Sequence, residues 1–282
     1  MKYESGQTYL EYIESNVNAI NSSNSPKYEW KTNKKQKPLQ IIKDAKTKYS
    51  DFAKIFDSVG NDDLTRDKVA EYYYDDLYKG FIATLLWGGY HKGRYNRGQD
   101  GAFLKILSLD KTSIVESINN VKLLLQKLSL KEAFESMQYN GDNHINGIGL
   151  SYMTKVLFFL SHNIDIKPKP LIYDSVAQKI HCAILIDELK DGVKEWYYMR
   201  NNVLCFKKSH YEMYVKYIND IDALATKYGI ISSDKLEEAL FGDNCRKINE
   251  NPRMVVCRYL KKHKCLLQKT KNGKTYKYIE SC

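Results

Sequence analysis

Proline is scarce in this chain, with five in 282 residues. Few helix breakers, combined with periodic stretches rich in Leu, Lys and Glu, predict a mainly α protein. Also missing is any run of 18 or more apolar residues. The longest apolar runs, Phe81 to Trp87 (with one threonine) and Val156 to Leu160, are too short to span a bilayer. The opening MKYESGQTYLEY is polar and has no apolar h-region, so no secretory signal is expected. These absences predict an intracellular, cytoplasmic protein without a membrane partner. Hydrophobic residues make up 43% of the chain, enough to bury a substantial core in one large domain or two lobes.

The six cysteines, Cys182, Cys205, Cys245, Cys257, Cys265 and Cys282, lack any C-x-x-C pair. That excludes a zinc ribbon or knuckle and suggests free thiols in a reducing compartment. The nearest constellation, Cys257, His263 and Cys265, matches no common zinc module, so no metal is expected. Acidic residues are absent from Asn251 to Ile279, where nine Lys or Arg occur; the whole chain carries a net charge of +10. Such a surplus draws polyanions in a salt-dependent way, although a solvated basic tail would look the same. Arg253, Arg258, Lys261 and Lys262 are its candidate backbone contacts.

Helical spacing covers residues 1–25, 39–58 and 65–87. The last of these runs into WGGYHKGRYNRG (87–98), where aromatic and basic residues interleave with four glycines. Glycine lets a backbone bend close to a ligand, and aromatics and arginines stack on bases; a plain surface loop has the same composition. Arg94 and Arg97 are further candidate backbone contacts there. Two short helices follow within 112–138. Two prolines in HNIDIKPKPLIYDS (162–175) forbid a continuous helix. Helices are expected again at 175–188, 209–228 and 232–241, the last opening on a serine cap. The C-terminal CLLQKTKNGKTYKYI alternates around Asn-Gly and predicts a β-hairpin.

The stretch INGIGLSYMTKVLFFL (145–160) carries the chemistry. Ile145-Asn146-Gly147-Ile148-Gly149 between two helices has the pattern of a helix-hairpin-helix. Its glycines let the backbone approach a phosphate, and the N–H groups opening the next helix face the anion. Alone, a G-I-G triplet also fits an ordinary turn. After the second helix (151–161), the run LIYDSV delivers Asp174 to a new helix start. Asp174 suits an N-cap and equally a catalytic carboxylate.

GIGLSYMTKVLFFL followed by PLIYDSVAQKI resembles the helix-hairpin-helix DNA glycosylase superfamily. The resemblance implies a two-lobed helical fold with a cleft, a hairpin that holds the DNA backbone, and an aspartate at the position of Asp174 that carries the chemistry. Bifunctional members have a Schiff-base lysine where this chain has Ser151. Monofunctional members lack it, and the adenine glycosylases have a serine there. The iron–sulfur cysteines of endonuclease III are absent. More narrowly, ATLLWGGYHKG and DKLEEALFG are similar to bacterial proteins with an 8-oxoguanine glycosylase (OGG) fold, some found in phage-defence systems.

On that resemblance, the expected function is a monofunctional DNA glycosylase acting on DNA with a modified base, in defence against phage. Asp174 would stabilise an oxocarbenium-like sugar and activate a water. The base would leave the stack for an aromatic pocket, with Tyr152, Trp87, Tyr90 and Phe103 as candidates. Lys155 lies one helical turn beyond Ser151 on the same face. A solvated side chain is its plain expectation; a displaced nucleophile is the sharper one. No cofactor or metal is expected, and a monovalent cation on the hairpin carbonyls is the one ligand left open. The expected parts are an N-terminal helical lobe (1–110), a helix-hairpin-helix lobe (111–205), and C-terminal helices with the basic β-hairpin (206–282) packing on the first. Two readings stand beside this one: a catalytically inactive OGG-fold DNA-binding module of a defence system, and a helical protein with a chance turn.

Overall fold

A computed structural model describes residues 6–23, 36–60, 64–90, 101–200, 203–241 and 251–263. Among these residues the protein is mainly helical. In chain order the helices are α1 (Tyr9–Glu14), α2 (Val17–Asn21), α3 (Gln36–Lys48), α4 (Ser50–Val59), α5 (Arg66–Asp75), α6 (Leu77–Trp87), α7 (Ala102–Leu107), α8 (Lys111–Gln126), α9 (Leu130–Met137), α10 (Leu150–Leu160) and α11 (Ser175–Leu189). A hairpin of strands β1 (Tyr197–Arg200) and β2 (Val203–Phe206) follows, then α12 (His210–Lys227), α13 (Ser233–Phe241) and α14 (Pro252–Lys262). No helix among the described residues is long and apolar enough to cross a membrane. The β-hairpin expected at 265–279 lies outside the described residues.

Three stretches predicted as single helices are each split in two, and side chains or local backbone mark the breaks. Within residues 1–25, α1 stops where the Ser15 hydroxyl and the Asn16 amide both donate to the Tyr12 carbonyl, at 3.1 and 2.7 Å. Side chains thereby compete with the helical ladder. Residues 39–58 divide at Tyr49, which has extended backbone. Residues 65–87 divide at Asp76, also extended. The Asp76 carboxylate accepts from Tyr78 and Lys79 N–H at 2.7 and 3.0 Å, starting α6 afresh. The serine cap read at 232 is present, with Lys235 N–H donating to Ser232 Oγ at 3.1 Å.

The chain forms two compact units: residues 27–172, and a unit in which 1–26 join 173–282. These boundaries differ from the three parts expected from sequence, since 27–110 fold with the hairpin segment. In the 27–172 unit, α10 packs against α5, α6, α8 and α9. Every residue from Met153 to Leu160 is buried, as suits a helix enclosed on all sides. Phe159 packs on Trp87 and Tyr73 at 5.4 and 6.5 Å. The Arg66 guanidinium lies 5.0 Å from the Phe158 ring. At the far end of α10, the Lys169 ammonium donates to the carbonyls of Ser161, His162 and Ile164 at 2.5, 3.1 and 3.1 Å. These carbonyls lie at and just past the helix end, and those of Ser161 and Ile164 also accept from the N–H groups of Ile164 and Ile166, at 3.0 and 2.9 Å.

In the other unit, α11 is central and packs against α1, α13 and α14. Asp187 near its C-terminal end explains why distant segments join. Its carboxylate accepts from Leu10 N–H at 2.8 Å and from the Tyr259 hydroxyl. Tyr9 stacks on Tyr12 and tilts against Tyr259, at 5.8 and 6.0 Å.

Candidate functional site

Residues 145–149 fold as a tight turn. Ile148 N–H donates to the Ile145 carbonyl at 3.0 Å. Gly147, third in that turn, has φ +91°, a conformation that favours glycine. Ile145 and Ile148 are buried and anchor the turn, while Asn146, Gly147 and Gly149 face outward. Gly149 is the N-cap of α10, and it makes no side-chain cap. The N–H groups of Leu150 and Ser151 precede the first intrahelical donor, Tyr152 N–H, which reaches the Gly149 carbonyl at 3.0 Å. A Cβ at Gly149 would meet nothing within 4 Å. An unobstructed cap residue beside uncapped N–H groups, at the positive end of a helix, suits an anion.

Two tyrosines brace this turn. The Tyr90 hydroxyl donates to the Gly147 carbonyl at 2.7 Å. Tyr152, from the first turn of α10, donates to the Gly88 carbonyl at 2.6 Å. Their rings meet edge to face at 4.7 Å. A Cβ at Gly88 would lie 2.6 Å from the Tyr152 ring, so glycine is required for that approach. Burial pushes the Tyr90 phenol above its ordinary pKa, which keeps it a donor at neutral pH. Of the four pocket candidates, Trp87, Tyr90 and Tyr152 are half-buried in this unit. Phe103 differs from its expected place: it is 1% exposed and sealed against Phe52 at 5.4 Å.

Lys155 also differs from the plain expectation of a solvated side chain. It is 4% exposed. Its ammonium donates to Ser151 Oγ at 3.0 Å and to the Ser151 carbonyl at 3.4 Å, and sits 5.1 Å from the Tyr152 ring centroid. A buried cation requires such partners. Ser151 and Lys155 therefore act as a pair at the head of α10.

Asp174, in the other unit, is the N-cap of α11. One carboxylate oxygen accepts from Val176 and Ala177 N–H at 2.7 and 3.3 Å, which orients the group. The preceding Tyr173 is fully buried and begins a chain of polar contacts. Its hydroxyl meets that of Tyr197 at 2.7 Å, Tyr197 meets His181 Nδ1 at 2.9 Å, and His181 Nε2 meets Asp220 at 2.8 Å. The Lys216 ammonium closes the chain on both Asp220 oxygens, at 2.5 and 2.7 Å. Burial holds His181 below its ordinary pKa, against the opposing pull of Asp220. Burial pushes Asp220 up, but the hydrogen bonds from His181 and Lys216 outweigh it and hold the carboxyl below its usual value. A neutral imidazole has one N–H, and a carboxylate only accepts. His181 is therefore assigned as donating from Nε2 to Asp220 and accepting at Nδ1 from Tyr197, which accepts in turn from Tyr173.

A hairpin with this geometry, a capping aspartate after it and a helical fold coincide with a family match over residues 26–241, most of the chain. The family is described as "Putative 8-oxoguanine DNA glycosylase OGG-like protein". The chain belongs to this family. No curated protein and no solved structure matches it.

The OGG-like match takes in the hairpin, Ser151, Lys155, Asp174 and the four aromatic candidates, and stops before α14. On α14, Arg258, Lys261 and Lys262 are exposed. Arg253 is half-buried, with Nε donating to the Phe241 carbonyl at 2.8 Å. Arg94 and Arg97 lie outside the described residues, as does Cys265. Among the described residues no cluster of His, Cys, Asp or Glu could hold a metal ion. One hairpin carbonyl that a monovalent cation could use, that of Gly147, already accepts from Tyr90. Sequence reasoning missed the bracing roles of Tyr90 and Tyr152 and the polar chain from Tyr173 to Lys216. No local pattern marks that chain, because its members come from α11, β1, α12 and the segment before α11, which meet only on folding.

Proposed function

We propose that this OGG-like protein is a monofunctional DNA glycosylase. The observation that carries the reading is the hairpin: Gly147 at φ +91°, buried isoleucines on either side and an uncapped α10 N-terminus beyond. Its N–H groups bind a DNA phosphate. Asp174 stabilises positive charge developing on the sugar as the N-glycosidic bond breaks, and orients the water that completes hydrolysis. Ser151 stands where a Schiff-base lysine would act, which supports base removal without strand cleavage. Similarity to phage-defence proteins supports a modified viral base as substrate.

The test uses genomic DNA from phages with different base modifications, with released bases identified by mass spectrometry. Wild type should release a base, and Asp174→Asn should lower that rate by about a hundredfold or more. Asparagine caps helices about as well as aspartate, so the variant should keep its melting temperature. Borohydride trapping of a protein–DNA adduct, lost on Lys155→Ala, would instead make Lys155 a nucleophile and overturn the monofunctional reading.

One observation favours a second reading. The α11 cap accounts for Asp174 without any chemistry. A catalytically inactive DNA-binding module would bind DNA in a salt-dependent way, release no base, and be indifferent to Asp174→Asn.

A further inference from the structure

Between the end of α9 and the hairpin lie residues 138–144, QYNGDNH. Their backbone is closely tied. Gly141 N–H donates to the Gln138 carbonyl at 2.8 Å, Asn143 N–H to Ser136 at 2.9 Å, and His144 N–H to Gly141 at 3.0 Å. Asn143 is buried, and its side-chain oxygen accepts from Asn120 of α8 at 3.2 Å. His144 Nδ1 contacts the Met137 carbonyl at 3.2 Å. A Cβ at Gly141 would come within 2.3 Å of the Ser136 carbonyl oxygen, so the loop folds tightly onto the end of α9.

This rigid loop holds Tyr139 in solvent. At 81% exposure it exceeds every other exposed large hydrophobic residue among those described. A tyrosine usually buries 150–250 Å² of ring and finds a partner; here the ring contact is with His144, edge to face at 5.8 Å. His144 directly precedes Ile145, so the ring stands beside the start of the phosphate-binding turn. The loop carries no Lys or Arg and one exposed acid, Asp142. It is therefore unsuited to a phosphate. A flat aromatic face with no nearby cation suits a nucleobase, whose stacking on such a ring is tolerant of sequence.

We propose that Tyr139, braced by His144, stacks on an unpaired nucleobase of the strand whose backbone the hairpin holds. The partner is DNA that is single-stranded or locally opened. This inference rests on the hairpin's reading as a DNA-binding element.

The test uses the full chain with three probes: a single strand containing 2-aminopurine, a duplex with one unpaired 2-aminopurine, and a fully paired duplex. Affinity is read by anisotropy at two salt concentrations, and stacking by 2-aminopurine quenching. Wild type should quench the first two probes. Tyr139→Ala should abolish quenching and weaken binding of both unpaired probes by roughly tenfold, with the salt slope and the paired duplex unchanged. Tyr139→Trp should retain binding. Tyr139 is largely solvent-exposed, so the variants should melt with wild type. Salt-dependent binding in which Tyr139→Ala matches wild type in affinity and quenching would overturn the stacking contact and leave the hairpin reading standing. Absence of salt-dependent DNA binding by wild type would overturn both.

Discussion

At the scale of single residues, three positions decide what the hairpin can be. Gly147 has positive φ, and a Cβ there would lie 3.2 Å from Ile106. Gly147→Ala therefore opposes both the backbone conformation and the packing. We expect it to lower stability by about 1–3 kcal/mol and to weaken DNA binding, measured by urea unfolding and gel shift. An unchanged affinity would remove Gly147 from the proposed phosphate site. Ser151 and Lys155 are the other two. Their types and spacing are plain in the sequence. Their contact is not, because a surface lysine and a buried one look identical until the neighbours of α10 are known. Phe103 carries the same lesson: its type suits a pocket, and only its packing on Phe52 places it in the core.

At the scale of elements, the sequence reading located helices well and boundaries less well. Asp76 and Asn16 look like interior polar residues in a periodic pattern. They end helices because their side chains bond backbone groups nearby. The β1–β2 hairpin went unread because short strands with mixed burial lack a clean alternation. That hairpin matters, since Tyr197 on β1 joins Tyr173 to His181.

The buried His181 makes a pH prediction. Its folded pKa is lowered, so it contributes stability above the unfolded value of about 6.5, lost as pH falls through the folded value. Asp220, also lowered, contributes above about 3.9 and is lost at more acid pH. Asp187 and Glu188, raised by burial, push the opposite way. Comparison with a variant isolates the histidine. The stability gap between wild type and His181→Gln in urea should be larger at pH 7.5 than at pH 5.5. A gap that does not change with pH would mean that His181 does not titrate as described.

At the scale of the whole molecule, charge sets how DNA is met. With a net +10, DNA affinity should fall as salt rises, with a log–log slope of about −0.9 for each duplex phosphate neutralised. Replacing Arg258, Lys261 and Lys262 with alanine should flatten that slope by roughly 0.9 for every one of the three that meets a phosphate. An identical slope in the triple variant would exclude α14 from the contact.

Composition and local pattern determined much on their own: a mainly helical chain, no bilayer-spanning helix, the G-I-G turn, the aspartate heading α11 and a basic C-terminal tract. These are legible because each depends on residue type and short spacing. Tertiary structure decided the rest. It joined residues 1–26 to 173–282 through Asp187. It buried Lys155 against Ser151, tied the turn and the head of α10 to the segment after α6 through Tyr90 and Tyr152, and left Tyr139 in solvent. Each of those depends on which distant surfaces exclude water together, and a linear pattern of residues carries no record of that.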